Sequence, residues 1–166
     1  TRYAGKIGTQ ANGLFALDYP TSEGPKRALF TQFENSDARR FVPSWDEPFH
    51  KATFDLAVTA RNGEMVVGNM PVSSAEDLGD GRRRVVFQTT PRMSTYLLFL
   101  AVGEFDRIAM ADDSDVEIGV IAQRGKAEQA LFALDATSDI LREYDDYFGI
   151  PYPLPKLDNI AAPGRS

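Results

Sequence analysis

The chain has no cysteine and a single histidine, His50, among its 166 residues. The first absence excludes disulfides, thiolate nucleophiles and cysteine-ligated metals, yet leaves the compartment open, because a cysteine-free chain can live in any redox environment. The second matters for metals, since a hydrolytic zinc site needs about three protein ligands, commonly histidines and carboxylates. No zinc site can be argued from one histidine, and most Ser-His-Asp and all Cys-His nucleophile systems go with it. His50, in the polar stretch EPFHKAT, reads as a loop residue beside a strand. Long apolar runs are missing too: Tyr96–Val102 (YLLFLAV) is far too short to span a bilayer, and the opening TRYAGKIGTQ lacks the apolar core of a signal peptide. So is positive charge. At a net −6 the chain repels a phosphate backbone or an anionic lipid surface on average, which makes nucleic acid a poor partner. Its one basic run, Arg82-Arg83-Arg84, abuts Val85-Val86-Phe87 and reads as the solvated start of a strand. No phosphate-binding loop opens a helix, and the acidic clusters Asp112-Asp113 with Asp115 and Asp145-Asp146 lack the spacing of a calcium loop.

What is present is a globular composition, 43% hydrophobic, long enough for one domain or for one domain and part of another. From Gly13 to Val120 the pattern is of strands: GLFALDY, ALFTQFE, TFDLAVTA, EMVVGNM, RRVVFQTT, TYLLFLAVGEF and VEIGVIA, separated by Gly, Pro, Asn, Asp and Ser. In TFDLAVTA the residues Phe54, Leu56 and Val58 alternate with Thr53, Asp55, Ala57 and Thr59, and Arg61-Asn62-Gly63 supplies the turn of a hairpin into the next strand. TYLLFLAV does not alternate, which predicts a strand covered on both faces at the centre of a sandwich. At about Lys126 the period changes. Ala127, Ala130, Leu131, Leu134, Ser138, Leu141, Tyr144 and Phe148 mark an amphipathic helix ended by Gly149 and Pro151, and an extended segment follows. The expected fold is therefore mainly β, an antiparallel β-sandwich over residues 1–110, with residues 111–166 beginning a second domain.

Within ALFTQFE, side-chain alternation puts Phe30, Gln32 and Glu34 on one face and Leu29, Thr31 and Phe33 on the other, the core side. Two readings fit an outward Gln-x-Glu: a solvated strand face, or a carboxylate that binds an amine beside an amide that hydrogen-bonds a substrate.

The stretch TQFENSDARRFVPSWDEPFHKATFDL resembles, in unbroken order, the Thr-Gln-Phe-Glu, Asp-Ala-Arg-Arg, Asp-Glu-Pro and Lys-Ala-Thr-Phe motifs of the aminopeptidase N family of zinc aminopeptidases. MSTYLLFLAVGEFD is similar to the strand closing that family's N-terminal domain, and YFGIPYPLPKLDNIAAP to the opening of its catalytic domain. The resemblance implies a sandwich or saddle-shaped N-terminal domain lacking its leading strands, followed by the start of a truncated thermolysin-like α+β domain. It implies that Glu34 holds the free α-ammonium of a peptide substrate and that Gln32 lines the first specificity pocket. Glu34, where leukotriene-hydrolysing relatives tend to carry Gln, favours a plain aminopeptidase. The family's zinc-binding, exopeptidase and transition-state tyrosine motifs fall beyond Ser166, so zinc ligands and catalytic residues are expected elsewhere in a full-length enzyme and the chain alone is expected to be inactive. The remainder of the catalytic domain is the implied partner. Asp37, Arg39, Arg40, Asp46 and Glu47, with Pro43 and Pro48, are expected to pin a charged turn after the substrate strand, and Phe41 and Trp45 to be core. The rival class is a non-catalytic β-sandwich binding module.

Overall fold

The computed structural model describes residues 1–111 and 116–163, so the acidic cluster Asp112-Asp113-Asp115 and the end of APGRS lie outside the described residues. The chain divides into two compact units, Thr1–Gly103 and Glu104–Ser166. Strands β1 to β12 are Gly13–Tyr19, Lys26–Gln32, Lys51–Ala52, Ala57–Arg61, Met65–Gly68, Val72–Asp77, Arg82–Phe87, Met93–Ser94, Leu100–Gly103, Phe105–Ala111, Glu117–Gln123 and Lys156–Ile160, and one helix, α1, covers Leu131–Phe148.

The first unit is built of antiparallel sheets: four strands in the order β1-β2-β9-β5, three in the order β4-β7-β6, and the short pair β3-β8. Strand β1 matches the expected GLFALDY residue for residue, and Phe15 faces Phe30 across β1 and β2 with ring centroids 6.2 Å apart. The two larger sheets meet where Gly68 lies against the Phe87 ring; a Cβ there would sit 3.3 Å from ring carbons and press the ring back by a few tenths of an ångström. TYLLFLAVGEF is not one strand. Thr95–Leu97 form a 3-10 turn, and Leu100–Gly103 alone enter the sheet, buried at all four positions between β2 and β5.

The expected hairpin at Asn62-Gly63 does not form. The turn itself is there, with the Glu64 amide donating to Arg61 O (3.0 Å), and the alternation of Phe54, Leu56 and Val58 with exposed neighbours is there too. But β4 pairs with β7 while β5 pairs with β9. Val66, Val67 and Gly68 are buried and suit an interior sheet, whereas β4 is half wet, so the turn hands the chain from one sheet to the other. Strand β6, exposed at every position, was not foreseen, since it carries no alternation to read.

In the second unit β10 runs antiparallel to β11, and β12 lies parallel to β11 after a crossover through α1. Strand β10, Phe105–Ala111, is thus hydrogen-bonded along its length to β11 within the second unit. Val116, Ile118, Val120, Leu134 and Leu141 form the core, with Ile108, Met110, Ala133, Tyr152 and Leu157 packed around them. A 3-10 turn over Ala127–Ala130 leads into the helix, and Gly149 ends it at φ +64° with its amide on Asp145 O (2.9 Å). Leu134, Ser138 and Leu141 are buried as the period predicts, but Leu131, Tyr144 and Phe148 are exposed. The period says which side turns inward and not how far along the helix its partner reaches.

Asp158 of β12 is buried between Arg107 Nε (2.7 Å) and Lys156 Nζ (2.5 Å), and Arg107 Nη2 also meets Glu117 Oε1 (2.6 Å). Gly119, in register with Asp158, makes room for them: a Cβ there would land on Asp158 Oδ1 and 2.7 Å from Arg107 Nη2.

Candidate substrate-binding site

Gln32 is the last residue of β2, opposite Gly13 of β1, and Glu34 follows in the turn. Both are exposed, while Phe33 between them is 2% exposed and packs with Ala38 and Leu98, its ring 5.5 Å from Phe41. A fully buried aromatic ring fixes the strand's rotation, so the two flanking side chains point away from that cluster. The expected core face is only partly right. Thr31 and Phe33 are buried and Leu29 is half-buried, but Phe30, on the face of Gln32, is buried as well. The outward face therefore begins at Gln32, where the strand leaves the sheet.

Just before that point β2 is tied down by a side chain. Thr31 Oγ1 accepts from the Leu100 amide (2.8 Å) and donates to Leu100 O (3.3 Å), continuing the contact with β9 past the last ladder pair, Leu29 with Val102 and Phe30 with Ala101. Just after it the chain turns: the Glu34–Asn35 peptide is cis, the Asp37 amide donates to Phe33 O (2.9 Å), and a 3-10 turn covers Ala38–Arg40.

The charged turn is assembled as the sequence suggested. Arg40 Nε donates to Asp37 Oδ1 (2.7 Å), and the Arg39 guanidinium reaches Asp46 O (2.7 Å) and Glu47 Oε1 (3.5 Å). Its centre is Asp46, whose side chain is wholly buried and takes the Arg39 amide (2.9 Å) and the Thr95 hydroxyl (2.5 Å). Burial alone would push this carboxyl up; the hydrogen bonds from Thr95 and Arg39 outweigh it and hold the group below its ordinary value. Sequence reasoning placed Asp46 in the turn but missed that it is the buried hub, for which the only signal was an acid flanked by two prolines. Trp45 corrects the expectation of a core residue: it is 83% exposed, because its buried neighbour Asp46 turns the chain's other face outward. His50 lies in a turn beside β3, as expected. Among the described residues no three His, Asp or Glu side chains converge on a point that could hold a metal, so these residues do not fit a zinc site.

Residues 1–97 match the family model of the peptidase M1 N-terminal domain. The chain belongs to the peptidase M1 family. It is 46% identical over 164 residues to aminopeptidase N of Acetobacter pasteurianus, covering 98% of this chain and 46% of that protein. It is 38% identical over 167 residues to the puromycin-sensitive aminopeptidase of Caenorhabditis elegans, covering 99% and 18%, and 38% identical over 162 residues to human endoplasmic reticulum aminopeptidase 1, covering 97% and 17%. The chain thus spans less than half the length of these M1 relatives.

Proposed function

We propose that this M1 chain is the amine-recognising part of an aminopeptidase that removes residues from peptide N-termini. Glu34 pairs with the free α-ammonium of the substrate, and Gln32 lines the pocket for the first side chain. The observation that carries the reading is the mounting of the pair: an exposed carboxylate and an exposed amide flank a ring locked in the core, between a strand tied by Thr31 and a turn tied by Asp46. The backbone that carries this carboxylate is pre-positioned, so a substrate amine has only the side chain to order. An amide beside it offers hydrogen bonds and shape without charge, which suits choice among side chains. The second unit is read as the opening of the catalytic domain. The zinc this reading requires is held by residues of the full-length protein outside those described, and no step is routed through it.

The test is steady-state kinetics of the full-length enzyme and its Glu34→Ala variant on several aminoacyl arylamides, with metal analysis and a melting curve for each. A folded, zinc-loaded Glu34→Ala enzyme that keeps wild-type kcat/KM would show the carboxylate to be a solvated strand residue and end the proposal.

A further inference from the structure

A second feature of the first unit has nothing to do with amines. Between the 43–50 loop and the β3-β8 pair lies an open groove of about 650 Å³, within the usual size of a small-molecule site. Its apolar walls include Trp45 and Phe49, 83% and 87% exposed, and Phe54. Its polar side chains include His50, Lys51 and Arg92, and no Asp or Glu lines it. The pairing of Lys51 with Ser94 and of Ala52 with Met93 brings the two cations together, Arg92 Nε donating to Lys51 O (3.2 Å). Neither forms an ion pair with a carboxylate among the described residues. The acids nearest in sequence are engaged elsewhere: Asp46 and Glu47 with Arg39, and Asp55 with the Thr89 hydroxyl (2.5 Å). A chain of net charge −6 thus keeps an unopposed positive patch beside two exposed aromatic rings.

The groove is also held in shape. Asp46 anchors the loop from beneath, Ser94 Oγ donates to Pro48 O (2.7 Å), and the His50 amide donates to Glu47 O (2.9 Å). The rings are therefore presented on a fixed backbone rather than on a loose one.

We infer that this groove binds an organic carboxylate with an aromatic or bulky apolar body, its charge on Lys51 and Arg92 and its body on Trp45 and Phe49. A guanidinium takes a carboxylate through paired N–H donors, and an aromatic body removes the two rings from water in offset or edge contacts. A bare inorganic anion would meet the charge and leave the rings wet. A neutral apolar ligand would do the reverse.

The experiment uses the full-length protein with N-acetyl-L-phenylalanine, which carries ring and carboxylate but no free amine and so makes no use of Glu34. Titration calorimetry and ligand-observed NMR should show saturable binding. Affinity should fall at least about fivefold for N-acetyl-L-phenylalaninamide, for the Lys51→Gln/Arg92→Gln double variant and for Trp45→Ala, and inorganic phosphate should not compete. The Lys51→Gln/Arg92→Gln variant should keep wild-type kcat/KM on aminoacyl arylamides while losing this binding, which separates the groove from the amine site; a parallel loss of both overturns the inference. Absence of saturable binding, as would follow if the rest of the protein covered the rings, overturns the inference. So does equal affinity for the amide, or undiminished binding by the double variant. Should the double variant melt early, Arg92→Gln alone, at an exposed side chain, decides the matter by the same criterion.

Discussion

In the first unit the buried acid Asp46 is satisfied by a hydroxyl, a backbone amide and the Arg39 guanidinium, which is itself half in water. In the second, Asp158 lies between Arg107 and Lys156, both largely withdrawn from solvent. The outer surfaces differ in the opposite sense. The first unit presents the polar pair Gln32 and Glu34 beside its pinned turn, while the second exposes Phe132, Ile140, Tyr147, Phe148 and Ile150 on and just after its helix. A buried acid shared among a hydroxyl, a backbone amide and a half-exposed guanidinium keeps a local turn in place at little electrostatic risk, because losing one donor leaves the others. A carboxylate enclosed by cations is a tighter bond between distant parts of a chain and fails as a whole when its centre is removed. One arrangement suits a mount for an outward-facing site; the other suits the locking of a last strand onto a sheet.

The sharpest way to break this comparison is Asp158→Ala. It leaves Lys156 without its carboxylate and Arg107 with Glu117 alone, and should cost the second unit about 3 kcal/mol, against a much smaller change in the first. Amide hydrogen exchange read separately over β10–β12 and over β1, β2 and β9 checks this; equal loss of protection in both would dissolve the distinction. Next comes Glu34→Ala in the full-length enzyme, expected to lower kcat/KM for free-amine substrates by roughly ten- to several-thousand-fold, the range implied by about 2–5 kcal/mol for a desolvated charge pair. Melting temperature and zinc content should hold, since an exposed side chain leaves no cavity.

Asp46→Asn is expected to cost about 1–3 kcal/mol, because a neutral amide cannot accept from Thr95 and Arg39 together as a carboxylate does. It should also alter the acid limb of the stability curve. The folded-state value of Asp46 is lowered, so its contribution is complete above the unfolded value of about 3.9 and is lost as pH falls through the folded value. Wild type should therefore lose stability below about pH 4 more steeply than Asp46→Asn. Asp18, hydrogen-bonded by Arg27, and Asp80, hydrogen-bonded by Arg82, are lowered too, but both are exposed and act equally in the two proteins. The smallest effect belongs to Gln32→Ala, which should change kcat/KM by less than about tenfold and mainly reorder the preferred first residue, as measured across a panel of aminoacyl arylamides.

What the sequence carried was local. The limits of β1, the helix with its Gly149 stop, the alternation at Phe54, Leu56 and Val58 and the outward pair Gln32 and Glu34 all follow from period and from residue type. What it withheld was pairing. Asn62-Gly63 announces a turn but not which strands flank it in a sheet, and Arg107 and Asp158, 51 residues apart, give no sign of meeting. Trp45 was misjudged for a related reason: an aromatic ring beside two prolines looks like core until the acid next to it takes the inside position.

Phe33 has one more consequence, for insertions and deletions. Because its ring fills the interior while Gln32 and Glu34 stand on either side, adding or removing a single residue at this point would turn one of the pair inward and push the ring toward water. Exchanges of residue at positions 32 and 34 cost the core nothing, whereas a change of spacing costs it a buried phenylalanine. Through divergence of the sequence, then, the core leaves the identity of these two side chains free to change long before the distance between them can.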